Sequence, residues 1–180
     1  MRRVAVLPIN YDPEALRSIR EMESAFHAEL IKTSLFEVVP VSREDLLTDL
    51  GSRQFSSVET LPGNLLERLR VRYGVDGVLF IDVTHFFAYR PLSLGIRAKL
   101  VDVSTGRIRW AFDYLFDSGN AATAVAASRF DLQQCRENRA LPGDGTSILS
   151  SPARFSKYAA YEVFRSLRAV PRRQEPERKG

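Results

Sequence analysis

Leu94-Gly-Ile-Arg-Ala-Lys-Leu-Val-Asp-Val-Ser-Thr-Gly-Arg-Ile-Arg-Trp-Ala-Phe-Asp-Tyr-Leu-Phe116 reads as two strands folded back on each other. In its first half Leu94, Ile96, Ala98 and Leu100 alternate with Gly95, Arg97 and Lys99, the period of a strand with one face in a core and one in water. Ser104-Thr105-Gly106 supplies a tight turn, after which Ile108, Trp110, Phe112, Tyr114 and Phe116 alternate with Arg107, Arg109, Ala111 and Asp113. This pattern predicts a hairpin with an aromatic face. Trp110 is expected in the core, in phase with Ile108 and Phe112. A stacking platform for single-stranded nucleic acid is the weaker reading of the stripe, because a sheet needs one apolar face to receive its helices.

Working back along the chain, Val75 to Ala88 is β-rich and apolar on both faces, which predicts a central strand and completes a three-stranded meander with the hairpin. Val4 to Ile9 reads as a short buried strand. Asp12 and Pro13 then cap and open a helix carrying Leu16, Ile19, Phe26 and Leu30, running to about Lys32. Phe36 to Val41 is a second strand, and Ser42 with Asp45 resembles a capping box for a short helix through Leu50. A polar stretch, Gly51 to Thr60, leads to a helix opened by Pro62 and stopped at Gly74. Beyond the hairpin, Ala121 to Ala127 predicts a helix extending toward Gln134. The loop Asn138 to Ser150 is irregular, and Ser151-Pro152 opens a last helix with Phe155, Ala159, Val163, Phe164 and Leu167 on its apolar face. The expected fold is α/β (α+β): a single mixed sheet of about five strands, a strand–helix–strand unit plus the antiparallel meander, packed with helices. Residues 1–170 are expected to form one domain and 171–180 a disordered basic tail.

A chain of 180 residues can bury roughly 70% of its unfolded surface without a metal or disulfide staple. Hydrophobic residues at 44% and charged residues at 27% are the balance of a globular protein. The net charge of +4 is spread along the chain. Its densest cluster, Arg172, Arg173, Arg178 and Lys179, is interrupted by Glu175 and Glu177, so a solvated end is the better reading and no nucleic acid partner is expected. The single cysteine, Cys135, cannot form an intramolecular disulfide and belongs to no zinc spacing. No stretch reaches the roughly 18 apolar residues that span a bilayer. A start at Met1 directly before a strand fits both a chain that stays where it is made and one whose leader has been trimmed.

The residues that could carry chemistry do not assemble in sequence. His27 and His85, the two histidines, lack any ligand spacing, and structural roles are expected for both. Asp76 and Asp82 share a strand face, but six residues at roughly 3.3 Å each place them about 20 Å apart, too far to share a reacting atom. No glycine-rich phosphate loop follows the first strand, and no GxSxG elbow occurs. Cys135, next to Arg136, is expected to be inert. No catalytic, cofactor-binding or metal-binding residues are predicted.

Three blocks, Val4-Ala-Val-Leu-Pro-Ile9, Tyr73-Gly-Val-Asp-Gly-Val-Leu-Phe80 and Ala98-Lys-Leu-Val-Asp-Val-Ser-Thr-Gly-Arg-Ile-Arg-Trp110, resemble the superfamily of the curli-secretion lipoprotein CsgG, the synthase-activator lipoprotein LpoB and the amino-terminal domain of TolB. The resemblance runs from about residue 3 to residue 170. It implies a bacterial envelope protein, periplasmic or outer-membrane associated, that works by binding a protein partner and touches the membrane only through a lipid anchor outside this sequence. The chain carries neither the family's amino-terminal cysteine nor the long amphipathic hairpin of the secretion channel, which leaves the accessory-lipoprotein reading ahead. The rival is a small-ligand or nucleotide-handling enzyme with a cleft that sequence does not reveal.

A docking surface is expected where alternation fails. Phe86, Phe87 and Tyr89 are nearly consecutive, a pleated strand cannot turn all of them toward one core, and Arg90 follows. Phe86, Phe87, Tyr89 and Arg90 are therefore the candidate partner-binding residues, against the bland alternative that a helix covers the second face.

Overall fold

Five strands, β1 (Arg3–Val6), β2 (Glu37–Pro40), β3 (Gly77–Phe87), β4 (Ser93–Asp102) and β5 (Ile108–Asp117), form one sheet in the order β2-β1-β3-β4-β5. The structure is a computed structural model and describes residues 1–12, 19–137 and 147–169. β1 runs parallel to β2 and to β3, whereas β3, β4 and β5 form an antiparallel meander. The helices are α1 (Ile19–Ile31), α2 (Arg43–Leu50), α3 (Leu65–Tyr73), α4 (Ala121–Glu137) and α5 (Pro152–Arg168), with a 3-10 turn at Ser147–Ser150. The fold is the mixed α+β sheet that the sequence implies.

Local chemistry explains the start of α2 and the end of α3. Ser42 Oγ accepts the Asp45 backbone N–H at 3.0 Å and its hydroxyl donates to Asp45 Oδ2 at 2.7 Å, so α2 begins on a reciprocal cap. Gly74, at φ 60°, closes α3 in the left-handed conformation that a side chain resists. α3 starts later than the sequence suggests: Pro62 sits in a preceding turn whose carbonyl accepts the Leu65 N–H at 2.9 Å. The expected Asp12-Pro13 start of the first helix, its Leu16, the loop core 138–146 and the basic tail 171–180 lie wholly or partly outside the described residues.

The sheet has a core on each face. On one, Val4, Val6, Leu79, Ile81, Ile96 and Trp110 pack with side chains of α1, α4 and α5, among them Phe26, Phe130 and Phe164. On the other, Ala5, Leu7, Val78 and Phe80 pack with Leu46 of α2 and with Leu65 and Leu69 of α3. β1 and the first half of β3 are thus apolar on both sides because both sides are covered. Over β5 the second face is wet: Arg109, Ala111, Asp113 and Leu115 are exposed, and Arg97 of β4 pairs with Asp113 at 2.7 Å, whereas Val101 at the other end of β4 still joins the second core.

Trp110 is 7% exposed and its indole N–H donates to Ser166 Oγ at 3.3 Å, which fixes it as a core residue. Phe116 is buried and Phe112 packs against the same core, but two members of the alternating face need correcting. Ile108 and Tyr114 are 55% and 51% exposed although they alternate in phase with Trp110. A register shift between Leu100 and Val101 displaces Ile108, and β5 is an edge strand, so Tyr114 has a neighbouring strand on one side only and packs edge-on against Phe116 at 4.9 Å.

Candidate functional site

The far end of β3 is shaped by a bulge. Val83 pairs with Ile96 and His85 with Gly95, leaving Thr84 as an extra residue. Gly95 is required there: a Cβ on it would lie 2.5 Å from Thr84 Oγ1 and 3.1 Å from the His85 backbone nitrogen. The bulge reverses which parity points inward. Leu79, Ile81 and Val83 face the first core before it, and after it Phe86 does. Phe86 is half-buried against that core, whereas Phe87 is turned to the open face, 47% exposed, and Tyr89 follows at 76%. The two outward rings meet edge to face with centroids 5.9 Å apart. Arg90 is exposed beside them. Leu115, itself 52% exposed, stands opposite Gly95 on β5, in the row next to Phe87 and Ser93, and His85 Nε2 lies 2.8 Å from Ser93 Oγ. Of the four candidate residues, Phe87 and Tyr89 meet on the open side, Arg90 is exposed next to Tyr89 in the chain, and Phe86 is half-buried against the first core.

A second feature was invisible in sequence. A cleft of about 470 Å³ opens at the carboxyl ends of β1 and β2, alongside α1. Such ends are where ligands commonly sit in sheets with a parallel strand–helix–strand unit. Buried Ile9, Phe26, Leu30 and Phe164 contribute to its walls. The polar wall is organised by Arg43, whose guanidinium donates to the Ile9 carbonyl at 2.9 Å and to Gln54 Oε1 at 3.0 Å, pairs with Glu23, and stacks over the Tyr11 ring at 5.1 Å. Glu23 Oε1 also accepts the Ile9 N–H at 3.1 Å. His27 lines the same cleft with its Nε2 buried and unpartnered. Burial pushes the His27 pKa down, with the Glu23 carboxylate pulling weakly the other way. These groups come from positions 9 to 164, so no local motif could have announced them.

The fold is similar to that of the hypothetical protein CT253 from Chlamydia trachomatis, with a TM-score of 0.56 and 12% identity over 94% of this chain and 98% of that one. The likeness is one of fold. Lipoprotein GNA1162 from Neisseria meningitidis has a TM-score of 0.49 at 19% identity, covering 78% of this chain and 99% of that one. The LpoB C-terminal domain from Salmonella enterica has a TM-score of 0.44 at 20% identity, covering 63% and 81%. No protein-family model matches the chain, and no curated protein does.

Two of the remaining sequence candidates, Asp76 and Asp82, have structural work. Asp76 precedes β3 and accepts the backbone N–H groups of Arg2 and Arg3 at 2.7 and 3.1 Å, bonds that hold its carboxyl below the ordinary carboxylate range. Asp82 is buried, taking Asn10 Nδ2 at 3.0 Å and the Ser57 N–H at 3.1 Å. Cys135 is half-buried on α4. Among the described residues no group of three or more His, Cys, Asp or Glu side chains is placed to hold a metal, and no helix is long and apolar enough to cross a membrane.

Proposed function

We propose that this is a non-enzymatic accessory domain of the bacterial cell envelope that docks a protein partner on the open end of its sheet, through Phe87, Tyr89 and Arg90. The observation that carries the reading is the Phe87–Tyr89 pair: two exposed aromatic rings meeting edge to face, on a face left uncovered by α2 and α3. Tyrosine and arginine are enriched among the few residues that carry most of an interface's binding energy, and aromatic rings bury much area at little entropic cost. The envelope location rests on the resemblance of the Val4–Ile9, Tyr73–Phe80 and Ala98–Trp110 blocks to the CsgG, LpoB and TolB superfamily; membrane contact would come through a lipid anchor outside this sequence.

The test is a Tyr89→Ala, Arg90→Ala double variant, examined by pull-down from the native envelope and by thermal melt. Both side chains are exposed, so the melt should be unchanged while the partner is lost. A retained partner, or a collapsed melt, contradicts docking at this surface.

A further inference from the structure

The cleft beside α1 lies apart from the aromatic surface and has a chemistry of its own. Its polar and apolar parts are laid out along the helix. Arg20 and Glu23 line it near the start of α1, and Phe26, His27 and Leu30 line it further on. At 1.5 Å per residue, Arg20 and Leu30 are separated by about 15 Å along the axis. Arg43 and Arg53 add two more cations, and Glu44 a second carboxylate. Glu23 is already committed to Arg43 and to the Ile9 N–H. Among the described residues the side chains of Arg20 and Arg53 enter no ion pair and no hydrogen bond, so the cleft holds cationic groups without internal partners. The unpartnered His27 Nε2 is a second, independent sign, since buried polar atoms are nearly always hydrogen-bonded to something.

We infer that the cleft binds a small amphiphilic anion, its acid group held by Arg20 and Arg53 and its acyl or aryl part lying along Phe26 and Leu30. The volume falls within the roughly 300–1,000 Å³ of small-molecule sites, and an apolar wall ending in a few convergent polar groups is the usual make-up of such a site. A polyanion such as a nucleotide fits poorly, because Glu23 and Glu44 stand among the arginines.

Decanoate is the probe. The full chain is titrated with it while the ring protons of His27 are followed by NMR, a His85→Gln variant assigning them, since the chain has two histidines. Saturable binding that shifts the His27 signals is expected. Decanol, with the same chain and no charge, should bind at least about tenfold more weakly, the size of one charge-assisted contact. An Arg20→Ala, Arg53→Ala double variant should lose at least about tenfold in affinity at an unchanged melting temperature, both residues being exposed. Absence of a saturable His27 shift, equal binding of decanol, or a folded double variant with undiminished affinity overturns the inference; should that variant fail to fold, the decanoate and decanol titrations of the parent protein decide.

Discussion

Asp82 and Ser57 are joined through both carboxylate oxygens: the Ser57 backbone N–H lies 3.1 Å from each Oδ atom. Lys99 Nζ closes the arrangement by donating to the Ser57 carbonyl at 2.7 Å. A buried side chain of β3 and a long one of β4 thereby hold the polar stretch 51–60 against the sheet, and Phe55 within it joins the second core. Asp82→Ala strands the Ser57 N–H and the Asn10 amide, and the expected cost is about 1–3 kcal/mol. Urea melts measure the loss, and hydrogen exchange should show the Ser57 amide opening with it.

Trp110 is the single tryptophan, which makes its burial directly readable. The parent should emit at the short wavelengths of a desolvated indole. Trp110→Ala should cost about 3–5 kcal/mol in a urea melt, while Ser166→Ala, which removes the acceptor of the indole N–H and the hydroxyl's own bond to the Val163 carbonyl, should cost about 1 kcal/mol. A solvent-like emission and unchanged stability would place the ring outside the core.

Stability should depend on pH through His27. Burial depresses its folded pKa below the ordinary 6.5, Glu23 opposing weakly, so the unfolded chain binds the proton more readily than the folded one. Its contribution is therefore fully present above about pH 6.5 and is lost as pH falls through the lower folded value. Comparing urea midpoints of the parent and of His27→Gln between pH 7.5 and 5 isolates the effect: the parent should lose more stability on acidification than the variant.

A side chain at Gly95 should be costly, because the bulge opposite brings Thr84 and His85 within contact of any Cβ there. Gly95→Ala is expected to lower stability by about 1–3 kcal/mol, read by thermal melt, and to disturb the orientation of Phe87 beyond the bulge.

The sheet was legible because its signals are local. Alternation in 94–116, the Ser42–Asp45 cap and the left-handed glycine at 74 each follow from residues a few positions apart. The bulge at Thr84 was not, since an extra residue is defined by its partner strand; it decides that Phe86 turns inward and Phe87 outward. Tyr114 and Ile108 depart from the pattern because alternation gives phase but neither the register shift at Leu100/Val101 nor the edge position of β5. The cleft, and the Asp82–Ser57 contact, join segments that only the folded chain brings together, so the partner-binding candidates could be named from a broken pattern while the arginine-lined cleft could not.

Docking at the open end of the sheet is tested most directly by site-specific photo-crosslinking in cells that express the protein. Tyr89 and Val71 are each 76% exposed, Tyr89 beside the aromatic surface and Val71 on α3, so random collisions should label both positions alike. With the crosslinker at position 89 the expected result is a discrete higher-mass product that is absent with the crosslinker at position 71. No product at either position, or the same product from both, would contradict a docking surface built on Phe87, Tyr89 and Arg90.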